Sequence, residues 1–281
     1  MRVIDLHCHT TASDGTVEPA ELARHAAERG VDVVAVTDHD TVGGVASAAS
    51  VGAQVGVEVV AGIELSTRHD GRELHVLGYF VDTGNDRLRS AIERMRKQRL
   101  QRARAIVDLL QELGYSITMA DIEAQAGGDV IARPHIARAL VAHGYVGSVR
   151  GAFTEEFIGD GGRAFVAREA LTSAESIELI RSAGGVAVLA HPGVSHHEGE
   201  TSVLEDRIVS ELAQAGLAGL EVDHPDHPPL IRDRLRVIAD EYGLVTTGGS
   251  DWHGLPEHTL GGWTTSEESF RRLRALATAG G

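Results

Sequence analysis

"IDLHCHTTASDGT", residues 4–16, sets two histidines either side of the chain's single cysteine and follows them with an aspartate and a glycine turn. Taken as a strand, the stretch alternates: Ile4, Leu6 and Cys8 point to one face, Asp5, His7 and His9 to the other. Two imidazoles on one strand face can converge on a metal ion, for which neutral imidazole is the commonest side-chain ligand. The same alternation turns Cys8 away from them and toward packing. Asp5 has two readings, orienting a ligand histidine or capping local backbone.

The surrounding sequence bounds what such a strand can belong to. At 281 residues and 42% hydrophobic, the chain suits one large α/β domain or such a domain carrying an insertion. Its 26 basic and 41 acidic residues give a net charge of −15. That argues against broad adhesion to nucleic acid or anionic membrane and leaves room for a local basic pocket. No stretch is apolar for long enough to span a bilayer. The first strand begins almost at the N-terminus with no leader-like segment, and one cysteine suits a reducing compartment, so the expected location is cytoplasmic.

Beyond the first strand the chain alternates. "PAELARHAAERG" reads as a helix with Pro19 near its start, and "GVDVVAV" (30–36) as a buried parallel-type strand. "VEVVAGIEL" (57–65) and "ELHVLGYFV" (73–81) are two more strands, with Asp70-Gly71 as the hairpin signal between them. From about residue 84 the period becomes helical, with Leu88, Ile92, Met95, Ala103, Ile106, Leu110 and Leu113 on one stripe. Thr118 with Asp121 marks a second helix start and Pro134 a third. Alternation returns with a capping box at Thr172 and Glu175, then strands near 186–190, 217–222 and 243–248. With 3–9, 31–37, 57–65 and 73–81 these make seven, which suggests a closed or nearly closed β/α barrel. The expected organisation is a barrel from 1–83 and 166–281, with a mostly helical insertion at 84–165 covering the substrate pocket.

Polar residues of ligand type fall at the strand ends, where β/α barrels collect their catalytic groups. His7 and His9 close the first strand, and Asp14 follows it. "TDHD" with His39 closes the second, Glu64 the third; His75 lies in the fourth, His191 follows "VAVLA", and Asp251 and His253 stand in "GSDWH". Nine such groups exceed one tetrahedral ion and suit two or three, with a carboxylate such as Glu64 bridging. Imidazole and carboxylate without thiolate favour Mn²⁺, Fe²⁺ or Zn²⁺ over a soft metal. In "GLEVDHPDHP", His224 is a candidate for protonating a leaving group, while Glu221 lies inside its strand and is not counted among the ligands.

"DLHCHTTASDGT", "VTDHDT", "LAHPG" and "GSDWH" resemble the motifs of the PHP (polymerase and histidinol phosphatase) family of metal-dependent phosphoesterases. The resemblance covers nearly the whole chain outside the insertion and implies a distorted (β/α)7 barrel. It also implies a trinuclear site: His7, His9, Glu64 and Asp251 around one ion, Glu64, His75 and His191 around a second, Asp14, His39 and His253 around a third. Mn²⁺ is the expected metal, with Fe or Zn as alternatives. Asp14, His39 and His191 would then count as catalytic, and a metal-bridging hydroxide would attack phosphorus.

The helical insertion makes the chain most similar to the subgroup acting on nucleotides, which removes the 3′-phosphate of molecules such as pAp, acts on AMP or trims short RNA from its 5′ end. Histidinol phosphatase and a non-catalytic metal-binding module are the alternatives. For the substrate phosphate, Arg133 and His135 in "ARPHIARAL" are the leading candidates, followed by Arg163 and Arg168. The basic run from Arg87 to Arg104 is read as the wet face of an amphipathic helix, with guidance of an oligonucleotide as the alternative.

Overall fold

A computed structural model describes residues 2–128, 130–167, 169–194 and 205–279. Seven strands follow one another in a single sheet: β1 (Ile4–Cys8), β2 (Val33–Val36), β3 (Glu58–His69), β4 (Arg72–Tyr79), β6 (Val186–Leu189), β7 (Gly219–Asp223) and β8 (Val245–Gly248). A two-residue strand, β5 (Leu171–Thr172), pairs with β3 off this path. The strands run parallel except β4, which is antiparallel to β3 and to β6. Asp70 and Gly71 turn the β3–β4 hairpin at φ 48° and 81°, a conformation that favours Asp and Gly. The barrel nearly closes beyond β8, where the His9 amide donates to the Trp252 carbonyl at 2.9 Å. Gly249 is needed there, because a Cβ would meet the Cβ of His7 at 2.3 Å.

The helices follow from the expected periodicities, with three more, one of them within the helical segment. α1 (Pro19–Glu28) starts on its proline, α7 (Ser173–Ser182) on the Thr172–Glu175 capping box, and α8 (Asp206–Gln214) and α9 (Pro229–Glu241) cross between the last strands. The sequence did not signal α2 (Val45–Val55), which joins α1 in the outer layer, or α10 (Glu267–Ala279), which sets Phe270 and Leu273 against Ile4 and Leu6. The segment between β4 and β5 holds α3 (Asp86–Glu112), α4 (Met119–Glu123), α5 (Arg133–Ala142) and α6 (Val149–Ala152). These pack round a core of their own that includes Ile106, Leu110, Ile136, Leu140 and Ile158.

Two details depart from simple strand alternation. A bulge between Asp5 and Cys8 shifts the β1–β2 register. Ile4 and Leu6 therefore join the barrel's inner cluster with Val33, Ala35 and Val188, while Cys8 packs outside with Leu22, Val36 and Trp252. Cys8 is thus a packing residue, but it does not share the face of Ile4 and Leu6. Glu64 is mid-strand rather than at a strand end: pairing with β2 stops at Ala61, and β3 then continues beside β4 as a hairpin arm. Because β4 runs the opposite way, His75, early in that strand, faces the same rim, opposite Ser66.

Candidate metal centre and substrate cavity

Glu64 is the hub of the rim. One oxygen, Oε2, lies 3.4 Å from His7 Nε2, 3.2 Å from His9 Nε2 and 3.0 Å from His39 Nδ1. The other, Oε1, lies 3.0 Å from His75 Nδ1 and 3.1 Å from His191 Nε2. Asp251 Oδ1 completes the first side at 3.4 Å from His7 Nε2 and 3.2 Å from His9 Nε2. Asp14 faces His9, His39 and His253 at 3.7, 3.9 and 3.5 Å. All nine expected ligands thus converge, and they fall into overlapping groups able to hold ions: His7/His9/Asp251, His7/Glu64/His191, His39/Glu64/His75 and His9/Asp14/His39/His253.

The donor set itself tests whether cations belong here. His7 Nδ1 donates to Glu221 at 3.0 Å, which leaves the Nε2 lone pair pointing inward, 3.1 Å from His9 Nε2. Two imidazole nitrogens and two carboxylate oxygens then face one point, an arrangement that is stable only around positive charge. His9 Nδ1 and His39 Nδ1 are buried and make no contact of hydrogen-bond geometry, the 3.0 Å approach of His39 Nδ1 to Glu64 included. Burial alone would depress the His9 imidazole, but Asp251 and Glu64 outweigh it and lift it to about 10. His75 is likewise carried against burial to about 9 by Glu64 and Glu73. His39 goes the other way, down to about 3, because burial there outweighs Glu64 and Asp14. Burial pushes the carboxyls of Asp14, Glu64 and Asp251 up, yet the surrounding histidines hold all three well below the usual range. These residues fit divalent metal.

Three non-glycine residues of the rim, Asp40, His191 and Asp251, have positive φ (53°, 25° and 49°), the kind of local strain that collects at functional sites. Glu221 explains part of it. Besides fixing His7, it accepts from the His191 amide at 2.9 Å, tying two ligand-bearing segments to one buried carboxylate. Asp5 resolves toward backbone capping, accepting from the amides of Gly261, Ser250 and His7 at 2.8, 2.9 and 3.3 Å. His224 is buried beside the rim, its Nε2 3.5 Å from Asp251 and its Nδ1 accepting from the Asp226 amide at 3.1 Å.

A cavity of about 810 Å³ opens beside Asp14 and His253, with Arg133, Arg138, Arg150, Phe153 and Leu255 among its walls. A smaller recess of about 140 Å³ lies over His39 and His75. Of the expected phosphate contacts, Arg133 lines both, although it is already paired with Asp160 at 3.0 Å and Glu73 at 3.2 Å. His135 is not on the cavity wall: it stands at the third position of α5, fully buried, and its Nδ1 turns back to accept the Ala132 amide at 3.0 Å. Arg163 is exposed and is not among the residues lining either cavity, and Arg168 lies outside the described residues. Arg138 and Arg150 were not anticipated. Arg138 was legible, since it stands four residues after Pro134 and so shares its helix face. Arg99 and Arg102 correct the wet-face reading of α3, for both line the smaller recess and Arg99 is buried.

Residues 5–187 match the PHP domain family. The chain belongs to that family. It is 34% identical, over 89% of each chain, to a 5′-3′ exoribonuclease of Haemophilus influenzae. It is 32% identical to a 3′,5′-nucleoside bisphosphate phosphatase of Chromobacterium violaceum, over 92% of this chain and 89% of that one. A crystal structure from Bifidobacterium adolescentis, assigned to the metal-dependent phosphoesterases, superposes with a TM-score of 0.90 at 33% identity, covering 97% of this chain and 96% of that one. This PHP protein is accordingly a hydrolase, a metal-dependent phosphoesterase on a nearly closed barrel. No helix among the described residues is long and apolar enough to cross a membrane.

Proposed function

We propose that this PHP protein hydrolyses a phosphate monoester of a small nucleotide carrying a second phosphate, of the pAp type. The observation that carries the reading is the cavity beside the ligand cluster, whose walls combine guanidinium groups with an apolar side of Phe153, Val149 and Leu255. A volume of about 810 Å³ is ample for a mononucleotide. Arg138, whose Nη2 donates to the Asp14 carbonyl, and Arg150 face no carboxylate within ion-pairing distance among the described residues, so their remaining donors are available for the phosphate that is not cleaved. Phe153 and Leu255 would cover the base, with Arg133 closing the wall between Glu73 and Asp160. The barrel end 1–83 and 166–281 would do the chemistry, and the helical segment 84–165 would select the substrate.

His7, His9, Asp14, His39, Glu64, His75, His191, Asp251 and His253 would hold two or three divalent ions, Mn²⁺ in the first instance. When bound, those ions supply a nucleophilic water at neutral pH and charge to neutralise phosphate oxygens. Glu221 keeps His7 in the tautomer that presents Nε2. Because the Nδ1 of His224 accepts a backbone amide, its Nε2 carries the proton, and that proton is the one available to the leaving oxygen.

A second reading, trimming of short RNA from its 5′ end, is favoured by the exoribonuclease names of relatives at 34% and 31% identity. Product formation by the Mn²⁺-loaded protein, phosphate from pAp, AMP and histidinol phosphate and mononucleotide from a short 5′-phosphorylated RNA, separates the readings. Fastest turnover of pAp, lost in Asp14→Ala, is the expected result. Mononucleotide release from RNA with slow pAp turnover would replace the phosphatase by the exonuclease, and preference for histidinol phosphate would overturn both.

A further inference from the structure

Among the described residues, Arg99 is the only Lys or Arg that is buried. It projects from the middle of α3, at the point where that helix passes from one core to another. Leu88, Ala91 and Met95, before it, pack into the barrel's outer core. Ala103, Ile106, Val107 and Leu110, after it, pack into the core of the helical segment. Met95, Arg99 and Ala103 share one stripe at four-residue spacing, so a guanidinium occupies a position where packing alone would set an apolar side chain.

The partners of that guanidinium explain its burial. Its Nε donates to Asp40 Oδ2 at 2.7 Å and its Nη2 to Ser66 Oγ at 3.1 Å. Asp40 Oδ1 accepts the Ser66 amide at 2.9 Å, and the Asp40 amide donates to the Glu64 carbonyl at 2.9 Å. Asp40 thus stands, at φ 53°, between His39 and the β3 backbone that carries Glu64. Ser66 pairs in register with His75. One side chain from the helical segment therefore holds together the two backbone stretches that bring His39, Glu64 and His75 to one point, and it walls the recess over them.

We propose that Arg99 is a positioning residue: through Asp40 and Ser66 it makes the geometry of the metal centre depend on the docking of the helical segment. The inference rests on the ligand assignment above and not on which nucleotide is cleaved. A carboxylate–guanidinium pair in this setting has a directional fork, which lysine cannot reproduce.

The test combines Mn²⁺ titration by calorimetry with kinetics, on whichever ester of the panel is turned over fastest, for wild type, Arg99→Gln, Asp40→Asn and the double variant. Each single variant should bind Mn²⁺ about 10- to 100-fold more weakly at one site and lose kcat to a similar extent, with KM little changed. The double variant should be no worse than either single one, because both break the same link. Arg99→Lys and Asp40→Asn carry the test if Arg99→Gln does not fold. Unchanged Mn²⁺ affinity with a raised KM and weaker inhibition by inorganic phosphate would overturn the proposal, making Arg99 a direct substrate contact. Wild-type kcat and Mn²⁺ affinity in a variant that merely melts earlier would also overturn it. Absence of Mn²⁺ binding by wild type would refute the ligand assignment instead.

Discussion

At His135 the ring folds back onto its own helix, and that fixes its charge. Burial, with Arg138 and Arg99 nearby, overcomes the attraction of Asp14 and lowers the imidazole to about 4. The folded protein therefore holds the ring neutral where the unfolded chain, near pKa 6.5, would protonate it. The stability of the neutral ring is fully present above pH ~6.5 and is lost as pH falls toward 4, the loss reaching about 3 kcal/mol at the acid end. Urea unfolding at pH 7 and pH 5 should show wild type losing about 2 kcal/mol more than His135→Asn between the two. Equal losses in both would mean that the ring titrates normally. The same fold-back removes His135 from the substrate wall, and a sequence cannot signal it, because the capping nitrogen and a phosphate-binding nitrogen are the same atom type at the same spacing.

Within single elements, the sequence signals structure wherever one residue satisfies another a few positions away. The Thr172 hydroxyl accepts the Glu175 amide at 3.2 Å, and Glu175 returns to the Thr172 amide at 2.8 Å, the reciprocal bond that starts α7. Thr172→Ala should cost about 1 kcal/mol in urea unfolding with activity retained, since α7 lies behind the sheet. A loss of turnover would show that α7 does more than pack. The β1 bulge is the counter-example: its extra residue is set by the neighbouring strand's register, so strict alternation misassigned Cys8. The stripe of α3 is intermediate. The gap between Met95 and Ala103 was visible, but that Arg99 fills it inwardly depends on Asp40, 59 residues away.

Over the whole molecule, the proposed ligands come from β1, β3, β4 and the loops after β1, β2, β6 and β8, so no one element contains the site. Metal should therefore join these segments thermodynamically as well as chemically. Dialysis against EDTA should abolish turnover and lower the melting temperature. Mn²⁺ at about 100-fold over its Kd should restore about 2.7 kcal/mol for each site filled. A melting temperature indifferent to Mn²⁺ would mean that the ions enter only with substrate.

What the sequence determined by itself was the barrel and the nine side chains that converge at its rim, because strand periodicity, helix caps and the placement of His and Asp near strand ends are local patterns. Tertiary structure alone decided that Glu64 stands at a rim in mid-strand, that Glu221 and Asp40 hold ligand segments in place, and that Arg99 and Arg138 rather than His135 and Arg163 line the cavities. Those outcomes depend on which buried charges meet across long separations, and the free energy of burying a charge is set by the partner that folding brings to it.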